Sequence, residues 1–494
     1  MADAPSAPTA SSGVASAEWL AGGPDGADRL ARLLPAALRG MAAGTAERGG
    51  PVPAGGPAAV AATLARTQSA DGLPRHGVGA EQALEELSAL LAAGSADPGD
   101  PACAAHLHCP PLAVSVAADV VASALNPSMD SWDQAPVASE IEREFATGIA
   151  RLCYPDAARP DAVITSGGTE SNLLGLLLAR ESAVTRPVCG ANSHHSVARA
   201  AWLLGLPAPV VVPCVDDRMV PSALAEALAP LGAQAVVVAT AGTTNTGRID
   251  PLPEIAEICR RTGARLHVDA AYGGLALCSE TLRSRVAGLE LADSVALDLH
   301  KFGWQPVAAG VFAARGEADL QALTVRAEYL NADDDTEAGL PDLLGRSLRT
   351  SRRPDAFRMA VTLRALGTAG IGALVERCCA NASGVHAMVE DHPALRSWGP
   401  PELSTVVFRP VAADGAAGDQ LVAQVRRTLL EDGTAVIGRG SLPTGPDGEA
   451  QLWLKLTLLH PHTQPADYRA LLDAVATVAA DLRTSVTRES PVAS

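Results

Sequence analysis

The spacing of apolar residues changes character twice along the chain. From Ala17 to about Pro110 they recur at helical intervals, as in Glu81-Gln82-Ala83-Leu84-Glu85-Glu86-Leu87 and on to Leu91, with Gly/Pro-rich spacers between the helical stretches. From about Leu112 to Val375, short apolar runs alternate with helical stretches: Val236-Val237-Val238-Ala239, then Leu252 to Arg261, then Leu266-His267-Val268. That alternation predicts an α/β large domain, a mostly parallel sheet with helices on both faces. A third segment, about Glu376 to Arg483, carries a strand-like Ser404-Thr405-Val406-Val407-Phe408, a helix from Gln420 to Leu430, the run Leu452-Trp453-Leu454-Lys455-Leu456 and a last helix near Tyr468 to Leu482. The expected organisation is a flexible leader over 1–16, an N-terminal helical segment over 17–111, a large domain over 112–375, a small C-terminal α/β domain over 376–484 and a flexible tail over 485–494.

Composition narrows the function. The chain has 494 residues, enough for more than one packed unit, and with only 3% aromatic residues its cores must be built from Ala, Val and Leu. A formal charge of −17 without any Lys/Arg run disfavours nucleic-acid binding and makes small-molecule chemistry the better expectation. Nine cysteines with no C-x-x-C pair read as reduced thiols, and no metal site is expected. Met1 to Ser16 lacks the basic and apolar regions of a signal peptide, and no unbroken apolar run reaches membrane-spanning length. A cytoplasmic protein with no membrane partner is the expectation.

Four elements carry chemistry. In Thr165-Ser166-Gly167-Gly168-Thr169-Glu170-Ser171-Asn172 a strand turns through two glycines into a helix expected over Leu173 to Arg180, and the free N–H groups at such a start suit a phosphate. In Leu266-His267-Val268-Asp269-Ala270-Ala271-Tyr272-Gly273-Gly274 an apolar strand ends in a carboxylate, where open α/β sheets place ligands. In Ser294-Val295-Ala296-Leu297-Asp298-Leu299-His300-Lys301 another strand ends in one of only two lysines in the chain, the other being Lys455. An amine there suits attack on a carbonyl. His194, in Asn192-Ser193-His194-His195-Ser196-Val197, offers a flat ring between a strand and a helix expected over Ala198 to Leu204. Each element also has an ordinary reading: a capped helix start, a turn-capping Asp, a solvated Lys, a surface His.

Taken together, in this order and spacing, these strings resemble the group II pyridoxal-phosphate decarboxylases, over about His106 to Leu472. The resemblance implies a type I aminotransferase-like fold and a homodimer with each site at the subunit interface. It implies that Lys301 carries pyridoxal 5'-phosphate, that Asp269 pairs with the pyridine nitrogen, and that His194 stacks on the ring opposite Ala271. By the same resemblance Gly168 and Thr169 hold the phosphate with help from His300, and Thr243, in Ala241-Gly242-Thr243-Thr244, lies near the ring oxygen. The implied reaction is loss of the α-carboxylate from a small L-amino acid.

Two strings resemble the 2,4-diaminobutyrate branch: His106-Leu107-His108-Cys109-Pro110-Pro111-Leu112 and Asn126-Pro127-Ser128-Met129-Asp130-Ser131-Trp132-Asp133-Gln134-Ala135-Pro136. A polar or cationic substrate is therefore expected, with His106, His108 and Asp130 as candidate contacts; for Asp130 helix capping is an equal reading. The sequence departs from the family where a loop tyrosine usually delivers the proton to Cα. That position falls near Leu343, and Tyr329 is the nearest competitor. Pro354 and His460 are further departures. Two alternatives stay open: an oxygen-using decarboxylation-deamination that gives an aldehyde, and a non-catalytic scaffold of the same fold.

Overall fold

The structure is a computed structural model that describes residues 20–65, 72–324, 333–415, 417–443 and 448–489. Among the described residues thirteen strands run β1 (Asp161–Thr165), β2 (Arg186–Gly190), β3 (Val210–Val212), β4 (Cys214–Val215), β5 (Arg218–Met219), β6 (Ala235–Thr240), β7 (Arg265–Asp269), β8 (Ser294–Asp298), β9 (Gly310–Ala314), β10 (Leu395–Ser397), β11 (Thr405–Pro410), β12 (Gly438–Pro443) and β13 (Ala450–Thr457). Seven of them form one sheet in the order β1-β9-β8-β7-β6-β2-β3. The pairs from β8 to β3 are parallel, while β9 runs antiparallel to both β8 and β1. The sheet is thus mostly parallel, as the alternating pattern predicts, with one reversed strand that periodicity alone does not reveal.

Pleating explains why β6 reads as an unbroken apolar run. Every residue of β6 is buried, and alternate side chains serve opposite faces. Ala235, Val237 and Ala239 enter the main core, while Val236 and Val238 pack with Ala179 and Leu176 of the helix Gly168–Glu181. The helix Leu252–Thr262 shows the complementary pattern, with Leu252, Ile255 and Cys259 buried and its charges outside; Gly263, at φ 76°, closes it.

The second sheet, β10-β11-β13-β12, is wholly antiparallel and has its own core. Its link to the large sheet is the helix Asp355–Glu390, bent at Gly367. Ile371, Val375, Cys378 and Cys379 belong to the main core and Ala382, Val385 and Val389 to the second, so the expected border at 376 falls inside one helix and the change of core follows Cys379. By length and hydropathy this helix could cross a membrane; here Ile371, Val375, Ala382 and Val385 are buried in the two cores, while residues 364–369 are exposed.

The N-terminal arm is helical, with Gly26–Arg48 paired against Ala80–Ala93. Gly40 and Gly44 let these helices touch, since a Cβ at either would fall about 2 Å from a backbone oxygen of the partner helix. The last part of the arm joins the small domain, where the Ala104 N–H donates to the Val436 carbonyl and the Thr457 N–H to the Ala104 carbonyl.

Candidate active site

The parallel strands deliver their carboxyl ends to one edge of the large sheet. Thr165 ends β1, Thr240 ends β6, Asp269 ends β7 and Asp298 ends β8, with the start of the helix Gly168–Glu181 beside them. Between them lies a cavity of about 460 Å³ whose wall includes Gly168, Thr169, His194, Asp269, Ala271, His300 and Lys301. Seven of the eight residues expected at the cofactor therefore meet in one place.

The helix begins at Gly168, five residues before the expected Leu173, because Glu170 reaches back to accept the Ser166 N–H at 2.6 Å and caps the first turn. Its N-terminal N–H groups face the cavity region, a ready cradle for a phosphate. The glycines here are steric requirements. A Cβ on Gly168 would sit 2.9 Å from the Ala271 Cβ, and one on Gly167, whose φ is +153°, 2.9 Å from the His300 ring.

Lys301 follows β8 by three residues, and its Nζ lies 2.8 Å from Asp298 Oδ2. His300 Nε2 is 3.4 Å from the same oxygen, and burial pushes the His300 pKa down against the pull of Asp298. Asp298 Oδ1 is buried and has no hydrogen-bond partner among the described residues. Asp269 is held from two sides: Oδ2 accepts from Asn172 Nδ2 at 2.7 Å and Oδ1 accepts the Ala271 N–H at 3.1 Å. His194 Nδ1 lies 2.8 Å from Ser196 Oγ, and burial lowers its pKa. A glycine-lined helix start, an amine and a fixed carboxylate around one cavity fit pyridoxal phosphate as the group held there.

The other expected residues fall elsewhere. Thr243 does not line the cavity: its Oγ1 donates to Asp217 Oδ2 at 2.5 Å, and Thr240, Gly242 and Thr244 take the wall instead. His106 and His108 are exposed and off the wall, while Leu107 between them lines it; the chain turns here, with His106 at a left-handed φ of 61°. Asp130 is buried away from the cavity wall, accepting from Gln134 at 2.9 Å and Ser351 at 3.2 Å, so it pins a loop. Leu343 borders a separate cavity with Arg346 and Asp161. Tyr329 lies outside the described residues.

Three residues were not singled out by role in the sequence. Asn172 stands in the glycine-turn string but faces Asp269 instead of a phosphate, a consequence of the earlier helix start. Asp298 lies three residues before Lys301, a spacing that a turn after β8 closes into an ion pair. Lys455 is a cation in an otherwise apolar strand, which is itself a signal. Its Nζ donates to the Thr244 carbonyl on the cavity wall, and burial pushes its pKa down to about 8.

A family model described as the pyridoxal-dependent decarboxylase conserved domain matches residues 65–411. The chain is 38% identical over 430 residues to a protein named L-2,4-diaminobutyrate decarboxylase from Rhizobium meliloti (strain 1021), covering 84% of this chain and 85% of that one. It is 33% identical to one of the same name from Acinetobacter baumannii, covering 81% and 84%. A crystal structure described as the glutamate decarboxylase domain of diaminobutyrate-pyruvate transaminase and L-2,4-diaminobutyrate decarboxylase from Vibrio parahaemolyticus superimposes with a TM-score of 0.81 at 27% identity, over 94% of this chain and 98% of that one.

Proposed function

The chain belongs to the pyridoxal-dependent decarboxylase family, and from that premise we propose that it removes the α-carboxylate of a small cationic L-amino acid, with 2,4-diaminobutyrate as the favoured substrate. The observation that carries this is the convergence of Lys301, Asp269, His194 and the Gly167-Gly168-Thr169 turn on one cavity. The names of the relatives support the substrate and do not favour the oxygen-using alternative.

Pyridoxal phosphate, when bound, supplies an aldehyde that joins amines and a ring that accepts the electrons released as carbon dioxide leaves. The protein's own groups do the rest. Lys301 is the attachment amine, and Asp298 gives that amine a charged partner once substrate has displaced it. The helix start at Gly168 and Thr169 takes the phosphate, with the His300 side chain against Asp298 on the same wall. Asp269, locked by two donors, would meet the ring nitrogen as an acceptor, and His194 would cover the ring. The Cα proton donor is not assigned.

We place this chemistry in a homodimer. Val307, on the cavity wall, is 72% exposed in the single chain, and Leu38, Met41, Leu87 and Leu91 form an uncovered apolar face on the arm helices. A second copy of the chain covering both gives the expected interface site. All nine cysteines are unpaired, which supports a reducing, cytoplasmic setting.

The test incubates purified protein with 2,4-diaminobutyrate, ornithine, glutamate, aspartate and an aromatic amino acid, and quantifies carbon dioxide and amine. Carbon dioxide matched by diamine from 2,4-diaminobutyrate, and lost in Lys301→Ala, is the expected result. Preferred turnover of an acidic or aromatic substrate would overturn the substrate assignment; carbon dioxide without amine would overturn the reaction.

A further inference from the structure

Asn172, Ser196, His267 and Ser294 stand behind the cavity, each buried, and no part of the proposed chemistry uses them directly. They form one hydrogen-bonded chain that ends on Asp269 at one branch and on His194 at the other. Resting on the cofactor reading above, we propose that Asn172 is the positioning residue that fixes both the Asp269 carboxylate and the tautomer of His194, with His267 anchoring it from behind.

Donor counting gives the direction of every bond. An ionised Asp269 can only accept, so the Asn172 group facing its Oδ2 at 2.7 Å must be the NH₂. The second hydrogen of that NH₂ goes to Ser196 Oγ at 2.8 Å. Both amide hydrogens are then spent, and Asn172 Oδ1, 2.9 Å from His267 Nε2, is left to accept. His267 therefore carries its proton on Nε2, and its Nδ1 accepts the Ser294 hydroxyl at 2.8 Å. Burial keeps that ring neutral, with its pKa pushed down to about 4.

The other branch is equally determined. Ser196 Oγ has accepted from Asn172, so its own hydrogen is free for His194 Nδ1 at 2.8 Å. The Ser196 backbone N–H, which can only donate, also points at that Nδ1, at 3.3 Å. Neutral His194 must then hold its proton on Nε2, the nitrogen left for a ligand in the cavity that His194 lines.

One amide thus aims the carboxylate that meets the ring nitrogen and sets the imidazole that covers the ring. Turning Asn172 over would present an oxygen to the ionised Asp269, a mismatch among buried groups whichever ring nitrogen of His267 carries the proton. The role is specific to the ring nitrogen, because that is the atom Asp269 meets.

The test titrates pyridoxal phosphate, and separately its analogue with C–H in place of the ring nitrogen, into the cofactor-free full-length protein. Asn172→Leu is expected to weaken pyridoxal phosphate about tenfold or more while changing the analogue by less than about twofold, since only the former gains from a correctly aimed carboxylate. His267→Gln, which keeps an N–H donor near Nε2, is expected to stay near wild type, and His267→Leu to follow Asn172→Leu. Thermal melting of the cofactor-free variants checks that each folds, and the His267 pair carries the test if Asn172→Leu does not. Equal weakening of both ligands, or an Asn172→Leu protein that binds pyridoxal phosphate as wild type does, would overturn the proposal. Wild-type protein that binds neither ligand would instead overturn the cofactor reading on which it rests.

Discussion

His267 shows how far one residue's environment departs from its sequence appearance. In the string Leu266-His267-Val268-Asp269 it is a polar interruption of a strand; in the fold it is 1% exposed and hydrogen-bonded at both ring nitrogens. Burial holds its pKa near 4, below the ordinary 6.5. The unfolded chain therefore binds more protons than the folded one between those values, and stability falls as pH falls from 6.5 towards 4. The slope from this one residue reaches about 1.4 kcal/mol per pH unit at most. Melting temperature followed across that window should decline in the wild type and decline less steeply in His267→Gln. Parallel curves would show that acid sensitivity arises at other groups.

Lys455 makes the same point in a more alkaline range. Its neutral form is favoured by burial, partly offset by Asp217, so its folded pKa of about 8 lies below the ordinary 10.5. Stability should rise with pH from about 8 to 10.5 on this account, because the unfolded chain holds the extra proton there. Lys455→Met is expected to flatten that rise in a denaturant series read at several pH values.

Among the elements, the helix Gly168–Glu181 is the one whose first residue the chemistry depends on. Alanine is a better helix former than glycine by about 1 kcal/mol in a helix interior, but Gly168 is the first helical residue, where that gain is largely absent. The added Cβ would meet the Ala271 Cβ at 2.9 Å, on the wall where the cofactor ring is proposed to lie. Gly168→Ala should therefore lower the melting temperature of the cofactor-free protein and also weaken pyridoxal phosphate about tenfold. Adding Ala271→Gly should restore much of the loss. If the double variant binds no better than the single one, the contact between these two positions is not the cause.

Another element depends on a buried charge. Arg352 donates to both oxygens of Glu142 at 2.6 and 2.7 Å, joining the segment after Leu344 to the helix Pro136–Cys153, and both side chains are nearly sealed from solvent. Arg352→Leu strands a buried carboxylate and should cost roughly 3–5 kcal/mol in chemical denaturation. The double change with Glu142→Leu should recover most of it, because the penalty belongs to the unpaired charge and not to the missing bond.

At the scale of the whole molecule, two cores share one bent helix, and the arm closes onto the smaller of them. The alternation of apolar runs was sufficient to read the large α/β unit, since a strand buried on both faces and an amphipathic helix each leave a distinct period in the chain. Strand β9 escaped because an antiparallel strand buried on both faces has the same period as a parallel one. The border between the domains escaped for a similar reason: a helix that changes core after Cys379 keeps its apolar stripe without a break.

The sequence by itself determined the kind of site: one lysine after an apolar strand, one aspartate after another, a glycine turn into a helix and a histidine in order. These are local, since each follows directly from the end of a regular element, and the carboxyl ends of neighbouring parallel strands necessarily meet at one edge. Only the tertiary structure decided which of two adjacent residues faces the cavity, as with Leu107 against His106 and His108, or the wall residues Gly242 and Thr244 against Thr243. The same holds for the links Asn172 to Asp269 and Asp298 to Lys301. The physical reason is that side-chain direction changes with every residue, whereas the pattern that marks an element is an average over several.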